Sequence, residues 1–290
     1  MKVTFDTNVL DRATRPERYP RDPRTADFIK VHDAIETGKL KGYFSETLVT
    51  LEGVQKKDRV DVIGRTRLQQ KVRSTGRNTI NINLTVKQDR QPLHPEHSAR
   101  IQAARKIGMR ALKGPSRVGW ILIQDPEGSF FAPDTDAKFA DRMDRTNSAC
   151  SAIEARGLGF ARVQSLAKSF ATRDQADIIR KNEEEFAKLD PMLAPAGLRM
   201  PRIPFEEPWF SSLLRARDIH EQRQVQRAIA EWADADSIAA HIGYGMDLFC
   251  TEDQGKGAGA PSIFDADNRA WLEKTYGIKF VTLSELARKI

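Results

Sequence analysis

The chain of 290 residues has little of what marks secreted or membrane proteins. Its two cysteines, Cys150 and Cys250, lie far apart, so neither a disulfide framework nor a cysteine metal cluster is expected. No apolar run reaches the roughly 18 to 20 residues of a membrane span. The N-terminus lacks the basic, then apolar, then small-residue order of a secretory signal. These absences predict a cytoplasmic protein without a membrane partner.

The charge is positive overall and unevenly distributed. The net charge is +7 and the pI about 9.4. Residues 54–117 contain sixteen Lys or Arg against four Asp or Glu, which gives +12 there and −5 elsewhere. Such a segment favours a polyanion-binding surface, although a solvated basic face without a partner has the same composition. The nucleic-acid-binding candidates are Lys56, Lys57, Arg59, Arg65, Arg67, Lys71, Arg73 and, in a later Gly-rich loop, Lys256.

Both ends of the chain alternate strands and helices. The predicted elements are strands at 2–6, 42–44, 247–251 and 278–282, and helices at 26–35, 46–56, 235–243 and from 284 onward. Alternation of this kind predicts a central, mostly parallel sheet with helices on both faces, a three-layer α/β/α fold. A disulfide-free core of this size is consistent with 40% hydrophobic residues.

The middle of the chain follows a different pattern. Residues 78–86 alternate apolar and polar as in a half-exposed strand, 98–112 predict a basic helix, and 118–123 predict a buried strand. Helices follow from 134 to 189, then a proline-rich connector, then a helix at 218–233. We therefore predict an α/β core formed by 1–56 and 134–290, with 57–133 as a basic insertion.

Acidic residues occur where the predicted elements end or begin. Asp6 follows the first strand, Asp253 follows a later strand, and Asp236 opens a helix. Glu52 lies on the helix after the second strand. The carboxyl edge of an α/β sheet is where such folds bind ligands, and crowded carboxylates there repel one another unless a cation is present. An all-oxygen site of this kind suits Mg²⁺ or Mn²⁺, which can activate water and neutralise a phosphodiester.

Several of these segments resemble the motifs of PIN-domain nucleases. Val3–Leu10 resembles the family's opening motif, and Phe44–Glu52 resembles its second motif, a helix that presents a Glu. Ala235–His241 is similar to its third acidic motif, and Leu248–Asp253 to its closing strand. The resemblance covers about 1–56 and 218–290, while the middle is longer than the family's usual helical connection.

The resemblance implies a function and a set of roles. Asp6, Asp236 and Asp253 would hold Mg²⁺ or Mn²⁺ with Glu52 as the fourth acid, Asn8 would orient Asp6, and Thr251 would support the site. The implied activity is that of an endoribonuclease, toxin-like or defensive, with nucleic acid, chiefly RNA, as the partner. A protein inhibitor or antitoxin and an oligomeric state are compatible with the resemblance.

Alternatives remain at the level of residues. Glu46 competes with Glu52 for the role of the second acid, although an acid in a first helical turn also favours the helix dipole. Asp234 is interpreted as the end of the preceding helix, and Glu252 as pointing away from Asp253. His94 and His97 could indicate zinc, but we interpret them as part of a loop.

Two other functions compete with the nuclease. A PIN-like module could bind RNA or a protein without cutting. A haloacid-dehalogenase-like phosphatase also begins with a strand that ends in Asp, but its chemistry needs a second Asp two residues later, where this chain has Asn8.

Overall fold

The computed structural model describes most of the chain. The described residues are 1–76, 79–87, 91–92, 94–115, 123–124, 138–174, 208–255 and 261–290, with some single positions between 176 and 191. For 67–87, 91–92 and 123–124 the backbone alone is described. The strand predicted at 118–123 lies almost wholly outside these ranges, as do the proline-rich connector and Lys256.

A five-stranded parallel sheet forms the centre of the protein. Its strands stand in the order β6, β2, β1, β8, β9. Their bounds are β1 Lys2–Phe5, β2 Lys41–Ser45, β6 Arg110–Leu112, β8 Leu248–Cys250 and β9 Phe280–Val281. Every neighbouring pair is parallel, so the carboxyl ends of all five strands lie at one edge. The predicted parallel sheet is confirmed.

Helices cover both faces of this sheet, and others pack outside them against α8. The helices of the described residues are α1 Thr7–Thr14, α2 Thr25–Glu36, α3 Arg59–Gly64, α4 Pro95–Lys106, α5 Phe139–Ala155, α6 Phe160–Arg173, α7 Trp209–Ser212, α8 Ile219–Tyr244, α9 Ala266–Tyr276 and α10 Leu283–Lys289. Short 3₁₀ turns span Pro16–Arg18, Glu46–Val49 and Leu213–Arg215.

The alternation of side chains along β1 accounts for the two covered faces. Val3 and Phe5 pack with apolar residues of α1, α2, α4 and α10 in one buried cluster. Thr4 points the other way, where its hydroxyl lies 2.9 Å from Nδ1 of His241 on α8. On that second face α5, α8 and α9 pack together around Phe249 of β8. The three-layer arrangement is therefore confirmed.

The predicted boundary of the insertion does not follow the core. β6 pairs with β2 in the main sheet, and Ile101 and Ala104 of α4 lie in the same buried cluster as Val3. The basic residues of α4 hide this apolar stripe in the sequence, and a three-residue strand carries almost no periodic signal. The helix predicted at 98–112 is thus α4 followed by β6, and both belong to the core rather than to an insertion.

A two-stranded antiparallel ribbon separates α3 from α4 along the chain. It consists of β3 Arg67–Gly76 and β4 Thr79–Lys87, which corresponds to the strand predicted at 78–86. A further short pair joins β5 Gln91–Pro92 to β7 Ile123–Gln124. Among the described helices, none has the length and apolar character that crossing a membrane requires.

α8 is one helix of 26 residues, although the sequence was interpreted as two helices. Asp218 caps its start by accepting hydrogen bonds from the backbone of His220 and Glu221, and Gly245 ends it in a left-handed conformation. No capping geometry interrupts it near Asp236, which lies in its interior. This continuity decides which acidic side chain reaches the sheet edge.

Gly243 allows α8 to approach α5 closely. A Cβ at this position would lie 2.8 Å from the carbonyl oxygen of Arg142 and would collide with the hydroxyl of Thr146. Gly243→Ala is therefore expected to destabilise the fold by about 1–3 kcal/mol, because a helix backbone cannot yield locally. Urea unfolding measures this cost, and adding Thr146→Ala should recover part of it. An unchanged unfolding midpoint for Gly243→Ala would contradict the close contact.

Candidate active site

Asp6 stands at the carboxyl end of β1, in the middle of the sheet. β2 lies on one side of β1 and β8 on the other, so Asp6 occupies the switch point at which α/β folds bind ligands. It caps α1, since Oδ1 accepts a 2.7 Å hydrogen bond from the backbone of Thr7. The side chain is 6% exposed, which is unusual for a carboxylate without a cationic partner.

Asn8 and Thr251 hold the second oxygen of Asp6. Asn8 Nδ2 donates to Asp6 Oδ2 at 2.7 Å, and the Thr251 hydroxyl donates to the same oxygen at 2.6 Å. Asn8 Oδ1 also accepts from the backbone of Glu252 at 3.2 Å. These bonds tie the first turn of α1 to the end of β8. The orienting role predicted for Asn8 and the supporting role predicted for Thr251 agree with this geometry.

Glu52 reaches the same edge from a loop. The sequence predicted a helix from 46 to 56, but the chain forms a 3₁₀ turn at Glu46–Val49 followed by turns. The Glu52 backbone donates to the carbonyl of Thr47 at 2.8 Å. Its Oε2 accepts hydroxyl hydrogen bonds from Thr7 at 2.7 Å and Thr47 at 3.0 Å.

Glu46 faces a different partner. Its carboxylate forms a 3.0 Å ion pair with Lys113, beyond the end of β6. Glu52 accepts a hydrogen bond from Thr7, the residue after Asp6, and its charge adds to burial in raising the pKa of Asp6. The structure therefore favours Glu52 over Glu46 as the second acid.

On α8 the structure brings Asp234, rather than Asp236, to the site. Asp236 is buried on the opposite side of the helix, where Trp232 Nε1 donates to Oδ2 at 2.9 Å and Cys150 Sγ lies 3.8 Å from Oδ1. Asp234 interacts electrostatically with Asp6, Glu52 and Asp253. Residues two apart on a helix point about 200° apart, so a single helix cannot direct both acids to one place. The assignment of Asp236 as a metal ligand is therefore not supported by the geometry.

Asp253 completes the group as its most exposed member. Its backbone donates to the Thr251 hydroxyl at 3.0 Å, and its Oδ1 accepts from the backbone of Gly255 at 2.8 Å. Glu252 turns away, as predicted, and pairs with Arg24 at 3.2 Å. We call Asp6, Glu52, Asp234 and Asp253 the acidic group.

The pKa values of Asp6 and Asp234 are raised first by burial and second by neighbouring negative charges. Burial, together with the charge of Glu52, raises the pKa of Asp6 to about 7 despite hydrogen bonds from Thr251 and Thr7. Burial and the charges of Asp6 and Glu52 also raise the pKa of Asp234 well above its ordinary value. Asp234 is surrounded by protein yet keeps part of its surface open to solvent, as a group lining a cleft does.

Comparison with protein-family models, with curated proteins and with solved structures finds no match for this chain. The geometry of the acidic group therefore carries the functional argument. It consists of acids from four separate parts of the chain, gathered at the switch point of a parallel sheet.

The basic candidates near this edge differ in accessibility. Arg59 is 5% exposed and donates to the backbone carbonyls of Val54 and Glu52, so it lies behind the site and cannot contact nucleic acid without a rearrangement. Lys56 and Lys57 are exposed. Arg65 is exposed, and its guanidinium forms an ion pair with Asp61 in which Nη2 lies 3.6 Å from Oδ2. The prediction for Arg59 is thus corrected, because its aliphatic stem and guanidinium are used in the core.

The distances within the acidic group bear on metal binding. Within the described residues, one set of three metal-ligating side chains has its ligand atoms within 4.8 Å of one another: His32, Asp33 and Glu36. That set lies on the surface of α2, toward the end that leads into β2 and away from Asp6. The carboxylates of the acidic group are not that close together. A divalent ion in the acidic group would therefore bind partly through water, as Mg²⁺ commonly does.

The histidines predicted to form a loop begin a helix instead. His94 caps α4 by accepting a hydrogen bond from the backbone of Glu96, and Pro95 is the first helical residue. Burial lowers the pKa of His97 to about 4. His94 and His97 do not belong to the group of close metal ligands found among the described residues.

The hydroxyl groups of Thr7 and Thr47 belong to the site although the sequence motifs did not indicate them. Thr7 and Thr47 both donate to Glu52, and thereby fix the loop acid beside Asp6. The signal for Thr7 was present, since it directly follows the strand-end acid. The role of Thr47 depends on the 3₁₀ turn, which the sequence pattern did not predict.

Proposed function

We propose that this protein is a metal-dependent phosphodiesterase of the PIN type, with RNA as its substrate. The observation that carries the proposal is the convergence of Asp6, Glu52, Asp234 and Asp253 at the switch point, with the pKa of Asp6 raised to about 7. Such crowding is costly in a site that has only to fold, and it is expected in a site that binds a cation.

The donor set fits Mg²⁺ or Mn²⁺. All of the acidic side chains offer carboxylate oxygens, the ligand type that these ions prefer. Among the described contacts Asp234 has no hydrogen-bond donor to its carboxylate, so its oxygens are available for a cation. When bound, a divalent ion supplies an activated water and neutralises charge on a phosphodiester.

The chain's own residues position these carboxylates. Asn8 and Thr251 occupy Oδ2 of Asp6 with hydrogen bonds, which favours its ionised form and fixes its orientation. Thr7 and Thr47 fix the orientation of Glu52 through hydrogen bonds to its Oε2. Because hydrogen bonds hold both oxygens of Asp6 and one oxygen of Glu52, a cation or substrate would meet two carboxylates that are already oriented, which reduces the reorganisation needed during reaction.

The test is cleavage of labelled RNAs and single-stranded DNAs with Mn²⁺ or EDTA. Wild type and Glu46→Gln are expected to cut RNA in Mn²⁺ but not in EDTA. Glu52→Gln should lose at least about a hundredfold in rate, because it removes a charge worth several kcal/mol to the transition state. Glu46 and Glu52 are a matched pair, since both acids follow β2 and lie six positions apart, Glu46 in the 3₁₀ turn and Glu52 in the turns after it. Equal rates for the two variants would sink the assignment of Glu52, and no metal-dependent cutting by wild type would sink the activity.

A non-cleaving RNA-binding module is the second candidate. The wide spacing of ligand atoms in the acidic group favours it, since close ligand triads are the usual sign of a preformed ion site. Salt-sensitive RNA binding by wild type, unchanged by Mn²⁺ and without cleavage, would support this candidate.

A further inference from the structure

The β3–β4 ribbon has an asymmetric distribution of charge that follows from its register. Arg67 pairs with Lys87, Lys71 with Asn83, and Arg73 with Asn81. Directly paired residues share a face of an antiparallel ribbon, and alternate residues along each strand share it too. One face therefore carries four cations and no acid; we call it the charged face, and its cations are Arg67, Lys71, Arg73 and Lys87.

The opposite face of the ribbon contains no charged residue. Its pairs include Leu68 with Val86 and Val72 with Ile82. Gln70 and Ser74 are its polar members on β3. An amphipathic two-stranded sheet usually turns its apolar face toward protein and its polar face toward solvent. The register thus keeps every charged residue of β3 and β4 on one face of the ribbon.

The charged face is costly without an anion. Arg67 and Lys87 stand directly opposite each other, and like charges in that relation destabilise a strand pair. From Arg67 to Arg73 the cations extend along about 20 Å of strand. The intervening positions Gln69, Asn81, Asn83 and Thr85 carry amide or hydroxyl groups, the types that contact phosphate and sugar. A run of phosphates matches this length, charge and chemistry.

We propose that the charged face of the β3–β4 ribbon binds the phosphate backbone of the RNA substrate. The inference rests on the proposed function in naming RNA, but its evidence is the register of the ribbon and not the acidic group. It also restricts the predicted binding surface within the basic segment 54–117 to one face of the β3–β4 ribbon. Lys71 and Arg73 belong to the binding surface, Lys87 joins them, and Gln70 and Ser74, their neighbours in sequence, do not.

The register supplies a matched pair of variants for the full chain. Lys71→Gln with Arg73→Gln removes two positive charges from the charged face. Gln70→Glu with Ser74→Glu adds two negative charges to the opposite face, so both double variants lower the net charge by two. Binding of single-stranded and duplex RNA is measured in EDTA over a range of salt, and thermal melting checks the fold. Lys71→Arg with Arg73→Lys preserves the charges and serves as a conservative control.

We expect the charged-face variant to reduce the slope of log K against log salt by about 1.4 for single-stranded RNA, because each lost phosphate contact contributes about 0.7. The opposite-face variant and the conservative variant should keep the wild-type slope. Equal effects of the two charge-lowering variants, or a wild-type slope for Lys71→Gln with Arg73→Gln, would overturn the proposal, as would wild type that shows no salt-sensitive binding.

The same samples separate this inference from the proposed function when cleavage in Mn²⁺ is also followed. Face-dependent binding without any metal-dependent cleavage would support the ribbon and reject the nuclease. Metal-dependent cleavage with equal binding by both double variants would support the nuclease and reject the ribbon.

Discussion

Asp234→Asn is expected to abolish metal-dependent RNA cleavage, whereas Asp236→Asn, two residues further along the same helix, should retain it. Asp234 interacts with the other acids of the group, and its loss removes a charge that the transition state requires. Asp236 is buried against Trp232 and Cys150, where the amide oxygen of Asn can still accept the hydrogen bond from Trp232 while its NH2 group faces the Cys150 sulfur. We expect a loss of at least about a hundredfold for the first variant and less than about threefold for the second.

The measurement is single-turnover cleavage in Mn²⁺, with circular dichroism of each variant as the fold control. The reverse ranking, with Asp236→Asn inactive and Asp234→Asn active, would show that α8 presents its other side to the site. Full activity in both variants would remove α8 from the chemistry altogether and leave the catalytic role to Asp6, Glu52 and Asp253.

The contribution of Asp6 to the stability of the metal-free protein is expected to fall as the pH rises from about 4 to about 7. Comparison of wild type with Asp6→Asn isolates it, because burial lowers the pKa of His97 to about 4 and that of His241 to about 3, and these two groups change stability in the opposite direction. The pKa of Asp6 is raised from 3.8 to about 7 by burial and by Glu52, so the folded state binds more protons than the unfolded state in that window. The loss of stability caused by Asp6 is absent below the unfolded pKa and complete above the folded pKa. Its full size is on the order of 4 kcal/mol.

Mg²⁺ or Mn²⁺ should reverse this loss at pH 8 and have little effect at pH 4. A cation that binds only the ionised acids of the folded protein stabilises the folded state by about 2.7 kcal/mol when its free concentration is a hundred times its Kd. Thermal melting with EDTA or Mn²⁺ at both pH values measures the effect.

Asp234→Asn should raise the melting temperature in EDTA at pH 8 by about 2 °C or more, since it relieves the repulsion. The same variant should melt like wild type at pH 4. A difference in melting temperature between wild type and Asp234→Asn that is independent of both pH and metal would contradict the crowding of charge on which the proposed function rests.

Sequence patterns were sufficient for the parts of the fold that depend on local alternation. The strand before Asp6, the helix at Thr25–Glu36 and the final strand and helix all carry an apolar periodicity that tertiary contacts do not override. The position of Asp6 could be predicted because the carboxyl end of a central strand lies at the edge where parallel sheets bind ligands.

The structure places a different helix acid near Asp6 from the one expected from the sequence, and the reason is geometric. Asp234 and Asp236 flank one alanine, so a motif comparison that shifts by two residues selects the opposite side of the helix. The choice depends on the continuous course of α8, which is anchored by Asp218 more than a dozen residues earlier. Glu52 was predicted on a helix, but it lies in a loop beside Asp6, because its position depends on hydrogen bonds from Thr7 and Thr47.

Both ends of the chain lie at the amino edge of the sheet. The Met1 carbonyl accepts a 3.0 Å hydrogen bond from the backbone of Lys41 at the start of β2. The Ile290 carbonyl accepts a hydrogen bond from the nearby Lys39. A polypeptide fused to either end, whether a purification tag or a reporter, would thus emerge from the side of the protein opposite the acidic group.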